Sequence, residues 1–184
     1  RSSTERLLAM TLDLLDIGCA EDGSLALVRE PVDVTGLIDD AVAVCRPVAR
    51  HREVNLRADA APGLVAVLDA RLVRRVLGNL LDNAVRYVPA GGGIEVGARR
   101  DGDHLVLRVA NDGPTIPPDA RVSLFDKYAR AGASASGSNR GLGLYLCRLV
   151  AEAHGGAIAL ADRAGGGVAF EVRIPGLRPI AGIV

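Results

Sequence analysis

Residues 70–87 read ARLVRRVLGNLLDNAVRY, and their spacing decides the architecture. Leu72, Val73, Val76, Leu77, Leu80, Leu81, Ala84 and Val85 recur three and four residues apart, the period of a helix with one face in a core. Asn79 and Asn83 fall one turn apart on one face, and Arg86 and Tyr87 extend that stripe by a further turn. Asparagine is a mediocre helix former, because its side chain competes for nearby backbone groups. Its carbonyl oxygen, however, suits Mg²⁺, which takes hard oxygen donors and is often shared with phosphates. Arg86 offers a cation for phosphate, and Tyr87 a flat surface for a base or ribose. The same residues also read as the solvated face of an ordinary helix.

On the N-terminal side, TERLLAMTLDLLDI at 4–17 places Leu7, Leu8, Leu12, Leu14, Leu15 and Ile17 in an amphipathic helical pattern. Glu21-Asp22-Gly23 closes it with turn chemistry. A second helix is predicted at 35–51, capped by Asp33 or Thr35. Residues 53–59 and 64–68 read as two short strands around Ala61-Pro62-Gly63.

On the C-terminal side, residues 94–100 and 104–110 alternate as a hairpin across Asp101-Gly102-Asp103. A short helix is expected over 119–129, then a flexible lid over 131–139 (AGASASGSN). Leu142 to His154 is a strongly apolar helix stopped by Gly155-Gly156. Residues 157–162 and 168–174 form a last hairpin around Gly165-Gly166-Gly167.

The 184 residues leave room for one domain with a short appendage. Only 3% are aromatic and none is Trp, so the core is built of Leu, Val, Ile and Ala. That composition suits a sheet covered by helices. The formal net charge is zero, which lends no support to a nucleic-acid partner. Cys19, Cys45 and Cys147 show no metal-type spacing, and an odd count argues for reduced thiols rather than a disulfide framework. No apolar run is long enough to span a bilayer and no signal peptide is visible, so a cytoplasmic domain is expected. Its parent protein is free to be membrane-tethered. The chain opens at Arg1 rather than Met, so a fragment of a longer protein is expected.

Two further segments carry chemistry. Asn111-Asp112-Gly113-Pro114-Thr115-Ile116-Pro117 directly follows an apolar strand. A polar pair there can bond a purine edge, while Gly113 lets a ring approach the backbone; a plain turn has the same composition. Arg140-Gly141-Leu142-Gly143-Leu144 opens a helix. Backbone N–H groups at a helix N-terminus bind phosphate because they lack internal partners and the dipole favours an anion. Linker chemistry is the plainer reading of one GxG. No Gly-Lys-Ser/Thr closes a P-loop.

The order of these segments resembles that of the ATP-binding catalytic domain of sensor histidine kinases, in the superfamily shared with DNA gyrase and mismatch-repair ATPases. Residues 79–87 resemble its N box, 111–117 its first glycine box, 124–128 (Leu-Phe-Asp-Lys-Tyr) its F box and 139–144 its second glycine box. The likeness spans roughly 53–175. Residues 4–40 resemble the second helix of the family's dimerisation and phosphotransfer domain with its linker. That divides the chain into 1–30, a partial dimerisation domain, and 31–184, the catalytic domain.

The resemblance implies an α+β fold: a two-layer α/β sandwich of the Bergerat type, with a mixed sheet, helices on one face and a preceding N-terminal helix. It implies ATP and Mg²⁺, with Asn83 as the metal ligand, Asn79 supporting the phosphates or the metal's water shell, and Arg86 on phosphate. Tyr87, Asn111, Asp112, Gly113, Ile116, Tyr128, Arg130, Arg140, Gly141, Leu142, Gly143 and Leu144 join the nucleotide site. Phe125 and Tyr128 anchor the lid, and a purely structural Phe125 is an equal reading. Three positions depart from the pattern: Asn111 stands where the family carries Asp, and Thr115 and Asn139 where it carries Gly. An amide oxygen still accepts a bond from the adenine amino group, without charge assistance.

The implied reaction is transfer of the ATP γ-phosphoryl group to a histidine on a dimerisation helix outside this chain. His154 ends a helix, where a His suits the dipole. His51 precedes Arg52 and, like His104, lacks the acidic residue of the family's acceptor motif. The implied partners are the protein's own dimerisation and phosphoacceptor helices, a response-regulator receiver domain and a second copy in a homodimer. A water-activating ATPase would carry Glu where Asn79 stands, and Asn cannot act as a base. A serine kinase of the anti-sigma type would not need the N-terminal helix. A nucleotide-sensing or scaffold module that has lost catalysis is the alternative that Asn111, Thr115 and Asn139 keep open.

Overall fold

The computed structural model describes residues 3–129, 141–161, 163 and 165–177. In chain order the elements are α1 Ser3–Glu21, β1 Glu30–Asp33, α2 Val34–His51, β2 Asn55–Ala60, β3 Val65–Leu68, α3 Ala70–Tyr87, β4 Gly93–Asp101, β5 His104–Asn111, α4 Pro118–Val122, α5 Gly143–Ala153, β6 Ala157–Ala161 and β7 Val168–Pro175. Five strands form one mixed sheet in the order β2-β4-β5-β7-β6, in which only β2 and β4 run parallel. Helices α2, α3 and α5 pack against that sheet and one another. This is the layered α+β arrangement expected.

The two sides of the sheet differ as the sequence alternates. Ile94, Val96 and Ala98 of β4 are buried, whereas Glu95 and Arg99 on the alternate positions are exposed. On the far face Arg99 and Arg108 both pair with Glu171, at 3.6 and 3.4 Å, and Arg173 reaches Asp101 at 2.6 Å. Val106 lies in register between Arg99 and Arg173 and is fully buried. Long arginine stems can cover an apolar residue while their heads stay wet.

Helix α3 has the expected bounds because its period, its cap and its core agree. The Asp69 carboxylate accepts from Leu72 N at 3.0 Å and from Val28 N at 3.1 Å. Leu72, Val73, Val76, Leu77 and Leu80 have essentially no exposure. Each such side chain contributes about 1.5–3 kcal/mol of burial. Asp33, not Thr35, caps α2, accepting from Thr35 N at 3.1 Å.

The structure supplies the strand partners and shortens one expected helix. The strands flanking residues 61–63 do not pair with each other: β3 joins β1 in a separate two-stranded ribbon, and β2 joins β4. The helix expected over 119–129 is one turn only, Pro118–Val122. Beyond it the chain turns so that Leu124 is buried and Phe125 meets Phe170 edge-to-face, with ring centroids 6.1 Å apart. Tyr128 then adopts φ +66°, which no right-handed helix accommodates. The lid expected over 131–139 lies outside the described residues.

Helix α1 makes charged contacts with α3, Lys127 and α5. Arg75 of α3 pairs with Asp13 and Asp16, and Arg71 reaches Asp16 at 3.2 Å. At its C-terminal end Glu21 accepts from Lys127 Nζ at 2.7 Å and from the Tyr145 hydroxyl at 2.7 Å. Of its apolar residues Ile17 is buried, while Leu8, Leu12, Leu14 and Leu15 are exposed.

Candidate functional site

The polar stripe of α3 meets a glycine-bearing turn at each end. At the N-terminal end of the stripe, a Cβ placed on Gly143 would lie 3.4 Å from Asn79 Oδ1. The asparagine face and the opening turn of α5 are therefore in direct apposition. No side chain among the described residues caps α5. Its first N–H groups are the orphan donors that an anion satisfies.

Gly141 closes this end. It sits at φ +69°, its carbonyl accepts from Tyr128 N at 3.1 Å, and a Cβ would approach Ala129 O to 2.5 Å. Only glycine tolerates that conformation and that proximity together. Leu142 is buried and Leu144 packs against the core, so both position the turn through apolar contact.

At the other end of the stripe, Gly113 lies under the last residue of α3. A Cβ there would meet Tyr87 O at 2.9 Å and Asn111 Nδ2 at 2.4 Å. The two ends stand about 12 Å apart along the helix at 1.5 Å per residue. Asn83 lies between them, half-buried, and Arg86 is exposed on the same face.

Two amide donors in this region are buried without partners: Asn79 Nδ2 and Asn111 Nδ2. Asn111 is only 3% exposed. A buried, unsatisfied amide costs about 1–3 kcal/mol, so both atoms mark places where a ligand would be gained at little loss. Together with the open N-terminus of α5, they make this face of α3 a candidate nucleotide site. The side-chain oxygens of Asn79 and Asn83 are of the hard type that Mg²⁺ takes.

Asp112 has a different local role from its neighbour. Its carboxylate accepts from Gly93 N at 2.6 Å and from the Arg163 guanidinium, which hold its pKa below the usual value, with Arg163 the larger cause. Arg163 also approaches Glu95 and donates to Gly166 O at 3.3 Å, tying the β6–β7 connection to the turn after β5. Nothing in local sequence foretells this partnership between residues 112 and 163. Ile116 is partly buried against the core, and Tyr128 is 60% exposed. Arg130, Arg140 and Asn139 lie outside the described residues.

His154 is a residue of the core. It does end α5, yet it is 1% exposed and holds no charge for a dipole. Its Nδ1 contacts Val150 O at 2.7 Å while Nε2 accepts from Asp69 N at 3.0 Å. These bonds fix a neutral tautomer, and burial pushes its pKa below the ordinary value.

Residues 68–178 match the family described as "Histidine kinase-, DNA gyrase B-, and HSP90-like ATPase". The chain is 34% identical to the sensor protein KdpD of Escherichia coli (strain K12) over 89% of its own length and 18% of that protein's. It is also 34% identical to the signal transduction histidine-protein kinase/phosphatase MprB of Mycobacterium avium (strain 104), over 96% of its own length and 34% of that protein's. Among solved structures, full-length ShkA in complex with AMPPNP matches with a TM-score of 0.82 and 27% identity, over 96% of this chain and 37% of that one. The chain thus spans well under half the length of each of these proteins.

Proposed function

The chain belongs to the histidine kinase-, DNA gyrase B- and HSP90-like ATPase family, and from that premise we propose that it is the ATP·Mg²⁺-binding catalytic domain of a two-component sensor histidine kinase. It passes the γ-phosphoryl group of ATP to a histidine on a dimerisation helix. One observation carries this reading: the residue that abuts the N-terminus of α5 and precedes Asn83 by a turn is Asn79, an amide. An amide cannot take a proton from water. A neutral imidazole already presents a lone pair and needs no such base, so an Asn79 site favours a histidine acceptor.

Within the site, Asn83 and Asn79 would hold the metal and its water shell through their carbonyl oxygens, and the long side chain of Arg86, rooted nearer the base end, would supply a cation to the phosphates. The first N–H groups of α5 hold the phosphate chain, while Gly113 and Asn111 receive the base. When bound, Mg²⁺ would supply charge neutralisation to the phosphates. The protein's own contribution is positioning and charge complementarity.

None of the chain's three histidines suits the acceptor role. His154 is enclosed with both ring nitrogens engaged. His104 opens a central strand, and His51 ends a helix that packs on α3. The exposed leucines of α1 fit the protein's own dimerisation helices and a second copy, and a response-regulator receiver domain takes the phosphoryl group onward. The reaction belongs to the cytoplasm; no helix among the described residues is long and apolar enough to cross a membrane. The test is incubation with γ-labelled ATP·Mg²⁺ and a polypeptide carrying the phosphoacceptor helices. Acid-labile label is expected on the added polypeptide only; label on the 184-residue chain itself contradicts the reading.

A further inference from the structure

One carboxylate reaches both segments that build the turn into α5. Glu21, the last residue of α1, accepts from Lys127 Nζ on its two oxygens, at 2.7 and 2.8 Å, and from the Tyr145 hydroxyl at 2.7 Å. Lys127 adjoins Tyr128, whose N–H donates to Gly141 O at 3.1 Å. Tyr145 stands in the first turn of α5, into which Gly141 leads. Glu21 therefore braces the Tyr128–Gly141 contact from both sides.

That contact needs bracing. Tyr128 has φ +66°, a left-handed conformation that is costly for a residue with a Cβ and persists only where its surroundings impose it. Its side chain is 60% exposed, so little packing holds it there. Hydrogen bonds do so instead, from its own N–H to Gly141 and from its neighbour Lys127 to Glu21. Arg148 reaches Asp126 at 2.9 Å and lies 5.1 Å from the Tyr145 ring centroid, joining the same two segments without α1. Loss of Glu21 would thus loosen the turn rather than undo it. The Glu21 carboxyl is held below its ordinary pKa, by Lys127 first and then by Tyr145, so it is charged at neutral pH.

We propose that Glu21 is a positioning residue for the nucleotide: by holding Lys127 and Tyr145 it sets the turn that leads into α5, so that ATP affinity and the docking of α1 depend on each other. This rests on the reading above that the phosphates lie at the first N–H groups of α5. Docked α1 presents those donors already ordered, and a preorganised site loses less on binding. By linkage, a nucleotide that gains from the ordered turn stabilises docked α1 in return. Arg75 offers the contrast, because it holds α1 through Asp13 and Asp16 on the side of α3.

The experiment joins ATP titration with hydrogen exchange over residues 3–21 of the 184-residue chain, with Mg²⁺ present. The proteins are wild type, Glu21→Ala, Tyr145→Phe, the double variant and Arg75→Ala. ATP is expected to slow exchange over 3–21 in wild type and in Arg75→Ala, but not in Glu21→Ala. Glu21→Ala is expected to bind ATP about three- to tenfold more weakly. The effect is modest because the Lys127 and Glu21 side chains are 36% and 35% exposed. Adding Tyr145→Phe to Glu21→Ala should weaken ATP no further, since the hydroxyl has already lost its acceptor. Exchange over 3–21 that ATP leaves unchanged in wild type overturns the proposal, as does wild-type ATP affinity in Glu21→Ala. Additive losses from the two substitutions overturn it too, because Glu21 and Tyr145 then act separately. An equal loss of ATP affinity in Arg75→Ala assigns the effect to helix docking in general and removes the role of Glu21. A wild-type chain that binds no ATP overturns the functional reading and this inference with it; every other contrary result leaves that reading standing.

Discussion

Replacing Gly113 by alanine tests the base end of the site with a single methyl group. The added Cβ would stand 2.4 Å from Asn111 Nδ2, 2.9 Å from Tyr87 O and 3.2 Å from Tyr87 C. Comfortable non-bonded separations are about 3.5–4.0 Å, so the first contact is too close by more than 1 Å. Relief requires Asn111 to rotate or the last carbonyl of α3 to withdraw. Gly113 is not among the glycines at positive φ, so the effect is steric rather than conformational. Overpacking of this kind costs about 1–3 kcal/mol, which in a chain of this size lowers Tm by roughly 2–12 °C. The displaced amide also loses its bond to the base, weakening ATP by about 0.5–1.5 kcal/mol, a factor of roughly 2–13. Thermal unfolding with and without ATP, beside a direct titration, reads both effects. Gly78→Ala is the control: nothing stands within 4 Å of its Cβ, and it lies inside α3. It should gain about 0.5–1 kcal/mol of stability from helix propensity and leave ATP affinity unchanged. A Gly113→Ala protein with wild-type Tm and wild-type ATP affinity would refute the reasoning.

Two other predictions follow from buried and charged groups. His154 has its folded pKa pushed below 6.5, chiefly by burial. Its stabilising contribution is therefore complete above about pH 6.5 and is lost as pH falls through the folded value, with a slope of at most about 1.4 kcal/mol per pH unit. Urea midpoints between pH 8 and pH 5 should fall on the acid side, and His154→Gln should be less stable at pH 7 but flatter in that window; an equal slope in the two proteins would remove His154 as the cause. Arg75→Ala deletes the partner shared by Asp13 and Asp16. Hydrogen exchange over residues 3–21 should accelerate by about tenfold, the loss of roughly 1–2 kcal/mol for a partly exposed charged contact, with ATP binding retained. Unchanged protection of α1 would show that Ile17 and the Glu21 contacts suffice to hold it.

Much of the architecture was legible because single segments carried redundant signals. The bounds of α3 follow from an eight-residue apolar stripe and an aspartate cap, and the β4–β5 hairpin from alternation around Asp101-Gly102-Asp103. The partners of short strands were not legible. β3 has four residues and pairs with β1 across an intervening helix, a choice set by tertiary packing. The helix expected over 119–129 stopped early because burial of Leu124 and the Phe125–Phe170 contact outweigh local propensity. At the site, the sequence named Asn79, Asn111 and the two glycines, and the structure brings Asn79 to Gly143 and Asn111 to Gly113. It did not reveal that Asp112 is held by Arg163, because an ion pair between two loops leaves no periodic trace. Nor did it reveal that His154 is a neutral link between the end of α5 and the start of α3.

The central claim is that the asparagine face of α3 and the N-terminus of α5 together hold ATP with its metal. Calorimetric titration of ATP into wild type and Asn83→Ala, each with Mg²⁺ and with excess chelator, tests it most directly. Wild type should bind more tightly with Mg²⁺ than without, and Asn83→Ala should lose that difference while keeping residual affinity through the base end. A wild-type chain that binds no ATP, or an Asn83→Ala chain with the full Mg²⁺ dependence, would contradict the account.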